Sequence, residues 1–330
     1  MTELTRRALL TGTAVGGAAL SFGLMPSAVR AAAPAVGKQA PGFYRYKVGE
    51  FEVTQIADGA RTFAMPDNFV VNLKKDEALA AAEAAYMPSG QVTIPFNPLV
   101  VNTGGKLIAI DTGNGLGAFE TSKGAVGQMN ANMRAAGIDP NAVDIVLISH
   151  FHGDHIGGLR TPDGKLVFPN AEIKVPAPEW AFWMNDENQS KANVFNKGQF
   201  GTPKKVFDGL TDKVTKFEWD KEVAPGITAV GTPGHTPGHT SFVVASGSAR
   251  FLVQSDVSNI SYLFVRNPDW HVVYDNDPDL AQATRHKFYD MAAAEKAPLA
   301  GYHFSFPSVG HVEKDGAHYR LVPAAWNPAI

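Results

Sequence analysis

Residues 149–159 read SHFHGDHIGGL, and within six positions this stretch holds three of the ten histidines of the chain together with Asp154. It follows residues 143–148, a short run rich in Val and Ile that is typical of a strand buried on both faces. Imidazole and carboxylate groups suit Zn²⁺ and neighbouring first-row divalent ions, whereas a Ca²⁺ site would need mostly oxygen ligands. The stretch therefore predicts a metal-binding loop at the end of a buried strand, where Gly153 lets the backbone turn.

Three more candidate ligands each come directly after an apolar run that is typical of a strand. His235 lies in GTPGHTPGH at residues 231–239, together with His239. Asp256 follows FLVQS, and His303 follows AGY. The chain has no cysteine, so a metal site must use His, Asp and Glu. These residues supply about the six to seven ligands that a dinuclear site requires.

The N-terminus predicts an export signal. Arg6 and Arg7 precede a weakly apolar, Gly- and Ala-rich run at residues 9–24, and residues 31–33 offer a small-residue cleavage site. The run is shorter than the roughly 20 apolar residues of a membrane-spanning helix. We expect residues 1–33 to be a cleaved twin-arginine signal. Residues 34–330 would then form a single domain, periplasmic or secreted, with no membrane contact after signal removal.

The remaining sequence alternates predicted strands and helices in two halves. Alternating polarity around Gly-containing turns predicts hairpins over 43–57 and 97–110, and helices are expected over 74–86 and 127–136. In the second half, strands are predicted at 171–175, 226–230, 241–245 and 250–253, and helices at 178–184 and 279–294. Two mixed sheets, each followed by helices, predict an α/β fold: a four-layer αββα sandwich with helices on the outside. The net charge of -3, with scattered Lys and Arg, argues against nucleic-acid binding.

Together, SHFHGDH, GTPGHTPGH, Asp256, His303 and the earlier IDTG at residues 110–113 resemble the metallo-β-lactamase fold superfamily. The resemblance covers essentially the whole chain after the signal. It implies two ions, the first held by His150, His152 and His235, the second by Asp154, His155 and His303, with Asp256 bridging. It also implies that His239 orients or packs rather than coordinates. Asp111 would hold a ligand imidazole in one tautomer.

The chemistry expected of such a site is hydrolysis. With no cysteine and no strand-to-helix Gly-x-Ser-x-Gly turn, no covalent nucleophile is visible, so a metal-bridged hydroxide is the expected attacker. Asp154 or Asp256 would act as the catalytic carboxylate that carries a proton. Zinc is the expected metal, with manganese, cobalt and iron as alternatives.

A closer resemblance narrows the substrate. The segments APGFYRYKVGEFEVTQIADG at 40–59, LVVNTGGKLIAIDTG at 99–113 and HFSFPSVGH at 303–311 resemble the branch that contains methyl parathion hydrolase and dihydrocoumarin-hydrolysing lactonases. That resemblance implies a dinuclear hydrolase of aryl lactones and esters, acting on a small neutral aromatic molecule, and a homodimer. The alternatives are a phosphotriester hydrolase, an acyl-homoserine lactonase, a metal-dependent oxidoreductase on the same fold, and a non-catalytic metal-binding protein.

Aromatic side chains near the motifs are the candidates for the substrate pocket. They are Phe119, Phe182, Trp183, Phe195 and Phe200. After Asp256, the polar pair Ser258 and Asn259 stands where a phosphotriesterase of this branch is expected to have a more apolar wall. This pair favours lactone or ester hydrolysis over phosphotriester hydrolysis.

Overall fold

Two seven-stranded mixed sheets form the centre of the computed structural model, which describes residues 35–37, 39–192 and 194–330, and only the backbone of 194–196. In chain order the strands are β1 (Phe43–Val48), β2 (Phe51–Ile56), β3 (Gly59–Ala64), β4 (Gln91–Phe96), β5 (Leu99–Asn102), β6 (Leu107–Ile110), β7 (Ile145–Leu147), β8 (Glu172–Pro176), β9 (Val214–Phe217), β10 (Glu222–Ala224), β11 (Ile227–Gly231), β12 (Thr240–Ser246), β13 (Ala249–Val253), β14 (Pro298–Ala300), β15 (Val309–Asp315) and β16 (His318–Pro323). The first sheet has the order β1-β2-β5-β6-β7-β8-β9, the second runs from β10 to β16 in sequence order, and β3 pairs with β4.

The helices lie between these strands in sequence. They are α1 (Lys75–Ala84), α2 (Leu116–Thr121), α3 (Met129–Ala135), α4 (Gly153–Ile156), α5 (Ala177–Trp183), α6 (Asp186–Lys191), α7 (Val194–Gln199), α8 (Gly201–Val206), α9 (Ser261–Phe264) and α10 (Pro278–Glu295). The longest, α10, begins with Asp277, whose side chain accepts a hydrogen bond from the Leu280 backbone, and ends at Lys296 in the left-handed conformation.

Three apolar cores define four layers. Between the sheets, Val101 and Leu147 of the first sheet share a buried cluster with Phe242 and Phe251 of the second. The outer face of the first sheet packs against α3, α5 and α8. The outer face of the second packs against α10. The predicted αββα sandwich is therefore confirmed.

A hairpin that the sequence analysis did not predict lies beside the site. Strands β3 and β4 pair antiparallel, from Gly59 opposite Phe96 to Ala64 opposite Gln91, although α1 separates them in sequence. Phe63 and Ile94 of this hairpin pack into a fourth apolar cluster, with residues of α1 and α9. The hairpin forms one wall of the cavity described below.

Most predicted elements are present with slightly different ends. The helix predicted over 127–136 begins at Met129, because Gly127 has φ +80° and is therefore not helical. A side chain would not fit at Gly127, since a Cβ there would lie 2.4 Å from the Gly115 carbonyl oxygen. The strand predicted over 143–148 is shorter, Ile145–Leu147. Strand β14 is the strand expected before His303, whereas β9, β10, β15 and β16 were not predicted from sequence.

The predicted export signal, residues 1–33, lies outside the described residues and stays a prediction. Pro41–Ile330 form one unit by their internal contacts. Within the described part of the chain, no helix combines the length and apolar character that crossing a membrane requires.

Candidate metal centre

The candidate ligands converge because the strands that precede them end at the same edge of the two sheets. In the first sheet, β6 and β7 run parallel and lead to Asp111 and His150. In the second sheet, β13 and β14 run parallel and lead to Asp256 and His303. Strand β11, which precedes His235, is antiparallel to β12, and β12 is antiparallel to β13, so β11 and β13 point the same way. Loops at the carboxyl ends of such strands are where α/β folds assemble sites.

The first ligand cluster consists of three buried imidazoles, those of His150, His152 and His235. His152 Nδ1 lies 3.1 Å from His150 Nε2 and 3.0 Å from His235 Nε2. Burial, with a further contribution from His235, lowers the pKa of His152 to about 3. The ring is therefore neutral near pH 7, which is the form that binds a metal ion.

The second cluster joins Asp154, His155 and His303. His155 Nε2 lies 3.4 Å from Asp154 Oδ2, and His303 Nε2 lies 3.6 Å from the same oxygen. Asp256 lies between the clusters: its Oδ2 is 2.9 Å from His303 Nε2 and its Oδ1 is 3.4 Å from His155 Nε2. Although its burial opposes ionisation, the neighbouring imidazoles of His303 and His155 hold the pKa of Asp256 well below its usual range.

Unpaired buried atoms show that divalent ions fit this arrangement. His155 Nε2 and Asp256 Oδ1 are buried and have no hydrogen-bond partner among the described residues. Such atoms are costly to bury unless something coordinates them. The donors are imidazole nitrogens and carboxylate oxygens, which suit zinc and its neighbours. The seven predicted ligands thus lie together, in the two groups that the resemblance implies, and their ligand roles stay a proposal.

Three of the ligand imidazoles, those of His155, His303 and His235, are each held by a second partner, which fixes the ring orientation. His155 Nδ1 lies 2.8 Å from Asp111 Oδ2 and His303 Nδ1 lies 2.8 Å from the Pro95 carbonyl oxygen. His235 Nδ1 lies 2.9 Å from Asp275 Oδ1. Asp275 is not recognisable from the sequence as part of the site, because it stands in no motif and is 40 positions from its partner.

His239 has other partners for both ring nitrogens. Its Nδ1 lies 3.0 Å from the Thr232 carbonyl oxygen, and its Nε2 accepts a hydrogen bond from the Asp256 backbone N–H at 3.0 Å. The ring is completely buried. It orients the Asp256 backbone, while His235 points into the first cluster.

Asp111 is expected to control affinity at the second cluster. Its carboxylate accepts from the Ser149 backbone N–H at 2.8 Å and hydroxyl at 2.7 Å, besides contacting His155. In Asp111→Asn an N–H₂ group replaces one of the two acceptor oxygens. The zinc affinity of the second cluster should therefore fall by about 10- to 100-fold, so that one of the two binding steps is weakened. Competition with a chromophoric chelator measures this. The exposed Asp139→Asn is the matched control, and equal affinities in both variants would contradict the expectation.

A cavity of about 380 Å³ opens directly above the clusters. Its floor is formed by His152, Asp154, His235, Asp256 and His303. The apolar wall comes from Phe63, Ile94, Phe96 and Ala118. The polar lining comes from Arg61, Asn114, Gln199, Asn259 and Tyr274. This volume is that of a pocket for a small organic molecule.

Four of the five aromatic residues predicted to line the cavity lie elsewhere. The fifth, Phe195, stays a prediction, because its side chain lies outside the described part of the chain. Trp183 and Phe200 are fully buried in the core behind His152, with ring centroids of Trp183 and His152 6.0 Å apart. Phe182 packs on these two rings and lines a different cavity. Phe119 is 41% exposed and does not line this cavity. Helix packing turns these aromatics away from the cavity, and the β3–β4 hairpin supplies Phe63 and Phe96 instead.

The prediction that Ser258 and Asn259 form a polar wall of the cavity is wrong for Ser258. Asn259 lines the cavity. Ser258 does not, because its hydroxyl contacts the Tyr289 hydroxyl at 2.5 Å in the interior. The sequence argument against phosphotriesters therefore rests on Asn259 alone.

The fold and the site agree with a family match over most of the chain. The family model described as the metallo-beta-lactamase superfamily matches residues 97–303. The chain belongs to the metallo-beta-lactamase superfamily. Its histidine-rich clusters are consistent with a dinuclear metal site, such as that of the dizinc lactonase AidC.

Similar proteins include lactonases. AidC, a dizinc quorum-quenching lactonase solved with the product N-hexanoyl-L-homoserine, is 28% identical with a TM-score of 0.80, over 87% of this chain and 98% of AidC. The structure of AbOPH, a hydrolase in the beta-lactamase superfamily, is 27% identical with a TM-score of 0.80, over 88% of this chain and all of AbOPH. An N-acyl homoserine lactonase of Bacillus thuringiensis is 27% identical over 165 residues. That match spans 50% of this chain and 57% of the length of the relative.

Proposed function

We propose that this member of the metallo-beta-lactamase superfamily is a metal-dependent lactonase. The observation that carries the proposal is the position of the cavity: residues of both ligand clusters form its floor, and its walls combine apolar and polar side chains. A lactone suits such a cavity, because it combines an ester that can be hydrolysed with a ring that is uncharged. The likeness to AidC, over nearly the full length of both chains, supports the same assignment.

The residues of the clusters have distinct roles in this proposal. Two divalent ions, when bound, supply Lewis-acid polarisation of a carbonyl and a water of lowered pKa. The side chain of Asp154 is 22% exposed, against 3% for Asp256. Because Asp154 is the more exposed of the two carboxylates that line the cavity, we assign proton transfer to its carboxylate oxygens. Asp256, held through its backbone by His239, positions the two clusters.

The cavity lining favours an acylated lactone. Phe63, Ile94 and Phe96 offer an apolar surface for an acyl chain. An amide in the substrate needs hydrogen-bond partners, and Arg61 and Asn259 supply donors at the cavity surface. N-acyl homoserine lactones are therefore our first candidates, in line with the lactonases to which the chain is similar.

Aryl lactones are the second candidates. The rings of Phe63 and Phe96 suit a flat aromatic group. The sequence resemblance to the branch with dihydrocoumarin-hydrolysing lactonases supports this choice. Zinc is the proposed metal, as in the dizinc AidC.

The proposal predicts the order of activities on three substrates. The zinc-reconstituted mature protein should hydrolyse N-hexanoyl homoserine lactone with a kcat/KM at least about tenfold above that for dihydrocoumarin, a difference of about 1.4 kcal/mol in transition-state stabilisation. Methyl parathion should be the poorest substrate. Faster turnover of dihydrocoumarin would select the aryl lactones, and methyl parathion as the best substrate would contradict the lactonase assignment. Chelator-treated protein is the control.

A further inference from the structure

Glu179 of α5 is a completely buried carboxylate that belongs to neither ligand cluster. Its Oε1 accepts hydrogen bonds from the Phe151 backbone N–H at 2.9 Å and the Trp183 indole N–H at 2.6 Å. Its Oε2 accepts from the Thr236 hydroxyl and the Gly238 backbone N–H, both at 2.8 Å. Four donors satisfy the carboxylate, and this explains how a charged group is tolerated in the interior.

Three of the four donors come from the two loops that carry the first cluster, and the fourth, the Trp183 indole, belongs to α5 itself. Phe151 lies between His150 and His152, whereas Thr236 directly follows His235. We propose that Glu179 is a positioning residue that sets the distance between these loops and thereby the affinity of the first cluster for its ion. The proposal rests on the assignment of His150, His152 and His235 to one ion.

The first cluster needs such support because its nitrogens come close together. His152 Nδ1 lies about equally far from the Nε2 atoms of His150 and His235, at 3.1 and 3.0 Å. A small change in loop spacing would alter all three positions relative to a shared ion. A site held in place by its surroundings binds without a cost of rearrangement.

Close backbone packing limits how this bridge can adjust. A Cβ on Gly238 would lie 2.1 Å from the Glu179 backbone nitrogen, so the His235 loop rests directly on the first turn of α5. The side chain of Glu179 then reaches from that contact to Phe151. Helix α5 is therefore the element through which the two loops are joined.

Glu179→Gln removes the negative charge and one hydrogen-bond acceptor of the side chain but keeps its shape. In either orientation of the amide, its N–H₂ group faces a fixed backbone N–H, that of Phe151 or that of Gly238. The bridge must therefore break at one loop, although the side-chain volume is kept. Thr236→Val removes one hydroxyl donor only and should act in the same direction with a smaller effect.

Asp58→Asn is the matched control for the loss of a buried carboxylate. Asp58 is also completely buried and accepts from the backbone N–H groups of Asn114, Gly127 and Met129. None of these donors belongs to the loops of the first cluster. This variant should lower the midpoint of thermal unfolding while leaving the affinity of the first ion unchanged.

The experiment is a zinc titration of each full-length variant against a chromophoric chelator, with thermal unfolding of the metal-free protein in parallel. His235→Ala and His303→Ala serve as references that identify the binding step belonging to each cluster. Glu179→Gln should weaken the step lost in His235→Ala by about 10- to 100-fold, as losses of partners outside the ligand set do. It should leave the step lost in His303→Ala unchanged.

Four results would overturn the proposal. Unchanged affinity at the first step in both Glu179→Gln and Thr236→Val would show that the bridge does not set the site. Equal weakening of both steps, or the same weakening in Asp58→Asn, would indicate a general loss of structure. A wild-type protein that binds no zinc would overturn the ligand assignment together with the proposal, which separates that failure from a failure of Glu179 alone.

Discussion

Asp256→Ala is expected to remove bound metal and hydrolytic activity together. The Asp256 carboxylate contacts both clusters, since its Oδ2 lies 3.4 Å from His235 Nε2 and 2.9 Å from His303 Nε2. Loss of a partner outside a ligand set already costs about 10- to 100-fold, so removal of this shared carboxylate should lower kcat/KM by more than about 1000-fold. Elemental analysis of the purified variant should show fewer than two ions per chain. His152→Ala should behave similarly, through the first cluster alone.

The control for this variant is Asp163→Ala, which removes an exposed carboxylate paired with Lys165. It should keep the metal content and the kcat/KM of the wild type. Circular dichroism would establish that both variants are folded. Full activity with two ions in Asp256→Ala would disprove the dinuclear assignment.

The position of the site could be predicted from sequence because each loop that carries candidate ligands follows a strand. The strand at Ile145–Leu147 leads to His150, and the strand at Ala249–Val253 leads to Asp256. Strands of this kind are identified by their apolar runs, and their parallel carboxyl ends meet at one edge. Local sequence thus contains both the residue types and the reason for their convergence.

The cavity walls could not be predicted in the same way. Phe63 and Phe96 face the cavity only because β3 pairs with β4 across an intervening helix, and no local pattern indicates this pairing. Trp183 lies in sequence between the two histidine motifs, but helix α5 turns it into the core. Which side of a helix faces a cavity depends on long-range packing, and single residues near a motif do not reveal it.

The supporting carboxylates were missed for a related reason. Glu179 and Asp275 each hold a ligand loop or ring, but neither lies in a motif. An isolated acidic residue in a sequence is most often exposed. That such a carboxylate is buried and accepts several hydrogen bonds is visible only in the three-dimensional structure.

Arg285→Leu is expected to cause the largest loss of stability among the variants considered. The Arg285 side chain is 1% exposed and donates to the carbonyl oxygens of Val257, Pro268 and Trp270. Its Nη2 also lies 3.4 Å from Asp275 Oδ2, on a side chain that is likewise 1% exposed. Removing the guanidinium leaves a buried carboxylate without its cation, and this typically lowers the free energy of unfolding by about 3–5 kcal/mol.

Chemical denaturation of the chelator-treated protein measures this loss without a contribution from metal binding. The matched control is Arg320→Leu, which breaks an exposed pair with Glu313 and should cost at most about 1 kcal/mol. Asp275→Asn in the Arg285→Leu background should recover part of the loss, because it removes the unpaired charge. A loss in Arg285→Leu no larger than that in Arg320→Leu would contradict a stabilising buried pair. A full loss with recovery in the double variant would instead show that the buried pair stabilises the fold, at the same carboxylate whose Oδ1 lies 2.9 Å from His235 Nδ1.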